Sequence, residues 1–192
     1  SQQSKSQEPV YLSIIVPAFN EEGRLPSMLN DTLEYLAQRG AGHDLSASRW
    51  SSMHESSSNI SRVACSNEAA SGHNFTYEII VVDDGSTDNT AKMVQGDFAC
   101  KQIHVVRLKQ NMGKGVAVRI GMLMARGSRQ LMVDADGATK FSDLEALEAA
   151  LDAGADCAFG SRHHLVKGVM AKRTWYRNIL TIGLQFLVKL FI

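Results

Sequence analysis

Four short apolar runs constrain this chain more than anything else in it: Leu12-Ser13-Ile14-Ile15-Val16, Glu78-Ile79-Ile80-Val81-Val82, Ile103-His104-Val105-Val106 and Gln130-Leu131-Met132-Val133. Each reads as a buried strand, the first ended by Pro17. Between them lie longer stretches in which apolar residues recur at helical spacing. From Gly23 to Arg39 these are Leu25, Met28, Leu29, Leu33 and Leu36; from Gly113 to Ala125 they are Val116, Ile120, Leu123 and Met124, expected to face inward. Further helices are expected over 88–95 and 142–151, and a last strand over Ala155 to Phe159. Strand and helix alternating about five times is the signature of an α/β sandwich with a mostly parallel sheet.

At 192 residues the chain suffices for one sizeable core. Its 20 basic and 20 acidic residues balance, which excludes the electrostatic footprint of a general nucleic-acid binder. Cys65, Cys100 and Cys157 are odd in number and lack C-x-x-C spacing, against a disulfide framework or a structural zinc site. A reducing compartment fits them best. The stretch 40–76 is dominated by Ser and Asn, with no clear period, and is expected to be a flexible insertion. Residues 1–9 are expected to be a disordered remnant. No signal peptide or uninterrupted membrane-spanning run is visible, and the apolar end at Phe186 to Ile192 leads us to expect that more protein follows.

Parallel sheets of this kind bind ligands in the crevice beyond the carboxyl ends of their strands. Three acidic or Gly-rich clusters stand at such ends, after Val16, after Val82 and after Val133. The last is Asp134-Ala135-Asp136. Two carboxylates one residue apart repel, and a divalent cation shared with a diphosphate removes that repulsion, because hard cations take oxygen ligands from both. Taken alone, Asp-Ala-Asp is also a plausible turn before Gly137. Asn111-Met112-Gly113-Lys114-Gly115 lacks the spacing of a Walker A loop, but its glycines permit close backbone approach and a helix follows.

The ordered series Val16-Pro17-Ala18-Phe19-Asn20-Glu21, Val82-Asp83-Asp84-Gly85-Ser86-Thr87-Asp88, Asn111-Met112-Gly113-Lys114-Gly115 and Asp134-Ala135-Asp136 resembles the inverting nucleotide-sugar glycosyltransferases of the large family GT2. Asp134 to Phe141, together with Gly160-Ser161-Arg162-His163, resembles the dolichyl-phosphate β-glucosyltransferases within it. The resemblance implies a GT-A (Rossmann-like) three-layer sandwich over 10–165. It also implies glucose transfer from UDP-glucose to dolichyl phosphate, giving the lipid-linked glucose donor for N-glycan assembly. The expected cofactor is Mg²⁺ or Mn²⁺ and the expected place the cytosolic face of the endoplasmic reticulum membrane.

By the same resemblance, Pro17, Ala18 and Phe19 line the base and ribose slot and Glu21 reaches the nucleoside. Asp84 accepts from the uracil N–H, although an Asx turn capping the next helix is an alternative use of its cluster. Asp88 is the better candidate for a purely structural cap. Gly113 and Lys114 meet ribose or phosphates. Asp136 is the expected metal ligand, with Asp134 and Ala135 beside the metal shell, ribose and sugar. Ala138 stands where mannosyl relatives carry a polar side chain.

A phosphate acceptor is already anionic and needs cationic positioning more than a general base. Guanidinium suits it, and Arg162, Arg173 and Arg177 are the candidates. Arg177, Thr181, Gln185 and Lys189 form a polar stripe on an otherwise apolar segment, so 166–192 reads as an amphipathic helix lying in a membrane interface. A helix buried against a neighbour is the alternative. Two other functional readings stay open: a mannosyltransferase using GDP-mannose, and a catalytically incomplete nucleotide-sugar-binding fragment.

Overall fold

The apolar runs do form strands. In a computed structural model that describes residues 9–40 and 75–160, β1 (Leu12–Ala18), β2 (Tyr77–Asp83), β3 (Ile103–Arg107) and β4 (Arg129–Met132) make one sheet in the order β3-β2-β1-β4, every ladder parallel. The register sets Ile14 beside both Ile79 and Leu131, and Ile79 beside Ile103. Side chains alternate along a strand, so Leu12, Ile14 and Val16 share a face with Ile79 and Val81. There they pack on Leu25, Met28, Leu29, Leu33 and Leu36 of α1 (Leu25–Gly40) and on Val94 of α2 (Thr90–Asp97). Burying each of these side chains contributes about 1.5–3 kcal/mol before conformational entropy is set against it. On the other face, Ile80 and Val82 meet Ala117 of α3 (Lys114–Met124). Helices thus cover both faces, as the sandwich requires.

The inward side of α3 differs from expectation. Val116 and Ile120 are half-buried, but Leu123 and Met124 are 76% and 50% exposed, and the buried positions are Ala117 and Gly121. The cause is proximity. A Cβ on Gly121 would lie 2.4 Å from Cγ2 of Ile15, so the helix rides too close to the sheet for a large side chain beneath it.

Pro17 does not end β1, which continues through Ala18. The hydrogen bonds explain why. Odd residues face β4 (Val133 N–H donates to the Ile15 carbonyl), and even residues face β2 (Asp84 N–H donates to the Ala18 carbonyl). The donor that proline lacks therefore falls on the β4 side, where the last registered pair is Ile15 with Met132. Pairing with β2 runs on undisturbed to Ala18 opposite Asp83. β4 itself is only half-buried, since it pairs with β1 alone among the described residues.

The edges of the expected insertion also belong to the folded unit. Gly40 closes α1, Phe75 stacks beside Tyr11 and Tyr77, and the Thr76 hydroxyl donates to the carbonyl of Pro9. The rest of that insertion, most of the N-terminal remnant and the expected interfacial segment 166–192 lie outside the described residues. The described residues divide at Glu145, those up to it forming one compact unit and those from Ala146 on belonging to another. A single 3₁₀ turn, Phe141–Asp143, leads into α4 (Leu144–Asp152), matching the helix expected there. No strand forms over 155–159, and Phe159 is 88% exposed. Apolar composition alone does not make a strand without a ladder for its backbone.

At the amino ends of the strands sits a buried polar cluster. Glu78, 2% exposed, accepts from the Ser13 hydroxyl at 2.6 Å, from Arg126 N–H at 2.7 Å and from Arg126 Nε at 2.9 Å. Arg126 Nη2 adds an ion pair at 2.7 Å. Burial pushes the Glu78 carboxyl up, but the Ser13 and Arg126 donors outweigh it and hold the group below its ordinary value.

Candidate functional site

At the opposite, carboxyl edge of the sheet, the loops after β1, β2 and β4 and the start of α3 enclose a cleft of about 460 Å³. Every non-arginine residue expected at the site lines it or stands at it: Pro17, Ala18, Phe19, Glu21, Asp84, Gly113, Lys114, Asp134, Ala135 and Asp136. Arg162, Arg173 and Arg177 lie outside the described residues.

The loop after β1 is clipped to the loop after β2. Asn20, at a left-handed φ of 55°, donates its N–H to the Ser86 hydroxyl and accepts from Thr87 N–H, each at 2.9 Å. Glu21 N–H donates to the Thr90 hydroxyl at 2.9 Å. Asp88 accepts from Thr90 N–H at 2.9 Å, from its hydroxyl at 2.5 Å and from Glu22 N–H at 3.2 Å. Burial works against ionisation of Asp88, yet these donors hold its carboxyl below the usual aspartate range. Asp88 is thus a structural tie between the two loops, as expected in kind, but it sits one residue before the N-cap, Asn89, which makes no side-chain cap bond.

Asp84 is 3% exposed and anchors the second wall. Its two carboxylate oxygens accept from the backbone N–H groups of Met112 and Gly113, at 2.7 and 2.8 Å. An ionised oxygen has two lone-pair sites, so Asp84 retains capacity for a ligand donor while fixing the glycine loop. Gly85, at φ 74°, makes this possible, because a Cβ there would lie 2.6 Å from the Gln110 carbonyl carbon. Gly113 caps α3 at φ 90° with no side chain and open space around it. The first N–H groups of α3 thus start at the cleft, an arrangement that favours an anion.

Opposite them, Lys114 Nζ meets Asp134 Oδ1 at 2.5 Å. Asp136 accepts from Ala138 N–H at 2.9 Å, so the segment after β4 does turn as well as present carboxylates. Among the described residues no three His, Cys, Asp or Glu side chains converge as a metal cluster. What the cleft offers a cation is the Asp134 and Asp136 pair. That donor set suits Mg²⁺ or Mn²⁺ completed by phosphate oxygens and water, since such ions commonly keep one or two carboxylates plus substrate phosphates.

Two lining residues, Arg24 and Ala117, escaped the sequence reading. Arg24 borders the cleft, held by Glu21 Oε1 at 2.6 Å. The available signal was the three-residue spacing from Glu21 at a helix start. The other Glu21 oxygen, Oε2, is buried with no hydrogen-bond partner, which leaves an acceptor open to a ligand hydroxyl or N–H.

A protein called dolichyl-phosphate β-glucosyltransferase from Drosophila melanogaster is 43% identical over 94% of this chain and 49% of its own. One of the same name from Dictyostelium discoideum is 41% identical over 94% and 49%. The chain thus spans about half the length of the curated relatives it matches. Among solved structures, S. aureus TarS 1-349 is similar at 22% identity and a TM-score of 0.48, over 75% of this chain and 33% of that one. The pattern of glycosyl transferase family 2 matches residues 57–186, more than half of the sequence. With that match spanning the β2, α3 and β4 segments of the cleft, the chain belongs to glycosyl transferase family 2.

Proposed function

We propose that this chain carries the donor site of a transferase that moves glucose from UDP-glucose to dolichyl phosphate with inversion. The observation that supports it best is the convergence of three separate strand-end motifs on one cleft. The names of the relatives supply the sugar and the lipid. In the reaction, an oxygen of the lipid phosphate bonds to the anomeric carbon while the bond from that carbon to the diphosphate breaks, and UDP leaves. Pro17, Ala18 and Phe19 wall the nucleoside, with Phe19 43% exposed at the edge. Asp84 and the free oxygen of Glu21 accept from base or ribose, and Gly113 with Lys114 faces the diphosphate. Asp136 and Asp134 would hold a divalent cation, which when bound neutralises the departing diphosphate.

Arg162, Arg173 and Arg177 are proposed for the acceptor phosphate, and 166–192 for the membrane interface, on sequence grounds alone. No described helix is long and apolar enough to cross a membrane. The proposed location is the cytosolic face of the endoplasmic reticulum membrane. A donor panel tests the reading: labelled UDP-glucose and GDP-mannose, each with a polyprenyl phosphate and Mn²⁺. Glucolipid formation is expected, and label from GDP-mannose alone would replace the glucosyl reading with the mannosyl one. UDP binding with no transfer from either donor supports the second reading, a nucleotide-sugar-binding portion, motivated by the half-length coverage of the relatives.

A further inference from the structure

Lys114 and Asp134 reach each other from different elements, the start of α3 and the segment after β4. Each has a competing use. Asp134 is one of the two carboxylates open to a divalent cation, while Lys114 stands at a helix terminus that carries no side-chain cap and suits a diphosphate. An ammonium and a divalent cation do not share one carboxylate oxygen comfortably. With Lys114 in place, the Asp134 and Asp136 pair offers a cation one net negative charge rather than two. The contact is also breakable. Both side chains are about half exposed, at 57% and 47%, and exposed ion pairs hold weakly. The flexible four-carbon stem lets the ammonium move without any backbone change.

We infer that Lys114 is a displaceable counter-ion, holding Asp134 until a nucleoside diphosphate offers the ammonium other oxygens, and so coupling nucleotide binding to cation binding. The inference rests on the nucleotide-sugar reading above. Its direction follows from linkage: if the nucleotide draws Lys114 away and thereby favours the cation, the cation favours the nucleotide by the same factor.

Calorimetry on the whole chain tests it, with Mn²⁺ alone, UDP alone under chelator, and each in the presence of the other. Bound Mn²⁺ is counted independently by electron paramagnetic resonance. Lys114→Met places a good helix former at an exposed helix start, so folding is retained. The variant should bind Mn²⁺ alone more tightly, by up to about fivefold, which is the most an exposed ion pair releases. It should bind UDP alone more weakly, and the mutual enhancement seen in the wild type should shrink. Lys114→Arg, which keeps the charge, should show neither gain nor loss of that size. A lysine with a merely structural role moves both affinities down together or neither, and either result overturns the inference while wild-type UDP binding keeps the functional reading intact. Wild-type protein that binds no UDP with or without Mn²⁺ overturns the functional reading and the inference together.

Discussion

Replacing Glu78 by Gln changes one atom of the buried cluster at the far end of the sheet from the cleft. The amide oxygen can keep the Ser13 and Arg126 backbone donors that now meet Oε1. The amide NH₂ then stands where Oε2 accepts from Arg126 Nε and pairs with Nη2, and donor faces donor. Two charge-assisted bonds are lost, each worth about 1.5–3 kcal/mol. The Arg126 side chain is 43% exposed and can turn into water, which recovers part of that loss. A net cost of about 2–3 kcal/mol follows, and at about 2–4 °C per kcal/mol for a chain of this size the unfolding midpoint falls by roughly 5–10 °C.

The pH dependence carries a second signature. Because the folded Glu78 carboxyl lies below its ordinary 4.5, its stabilisation is fully present above that value and is lost as pH falls through the lower, folded value. Thermal unfolding followed by circular dichroism at several pH values between neutrality and acid gives both quantities. The wild type should lose stability on acidification below the ordinary glutamate range more steeply than Glu78→Gln. A variant with the wild-type midpoint at pH 7 and an unchanged acid slope would refute the assignment of Glu78 as a buried, ionised anchor.

Three further substitutions probe the cleft. Gly85→Ala forces a side chain into the left-handed region at about 1–2 kcal/mol and drives its Cβ into the Gln110 and Asn111 backbone, so both the melting temperature and UDP affinity should fall; retention of both would mean the turn is not packed as described. Asp84→Asn keeps one backbone acceptor and loses the other, and a loss of at least about 1.5 kcal/mol from a charged hydrogen bond should weaken UDP binding about tenfold with little change in secondary structure. Asp136→Asn should abolish the proposed metal-dependent glucosyl transfer while the fold, checked by circular dichroism, remains; normal turnover would remove this residue from the site.

How much of this was legible depended on whether the information was local. Strand positions came from runs such as Ile79 to Val82, whose burial follows from their own composition. The cleft came from three clusters that a parallel sheet must bring to one edge. What stayed hidden depended on distance across the sheet. Ala117 and Gly121 form the inner face of α3 because the helix rides on Ile15, and hydrophobicity does not encode that separation, so Leu123 and Met124 were assigned inward. Glu78 read as the polar start of a strand, since its partner Arg126 lies far along the chain. The apolar stretch 155–159 satisfied the composition of a strand but has no ladder. Arg24 was masked by its resemblance to an ordinary solvated charge at a helix start.

Pro17 shapes the edge of the cleft through the hydrogen bond that it cannot make. Any other residue there would add an N–H directed at β4 and offer the β1–β4 seam another rung. Proline withholds it. The seam stops unzipped just below Asp134, while the β1–β2 seam stays fastened up to Asp83 and carries Asp84 to the rim. The rim is shaped by subtraction: one missing donor, at a central strand where proline is ordinarily unwelcome, leaves the β1–β4 ladder one rung short at the edge of the cleft.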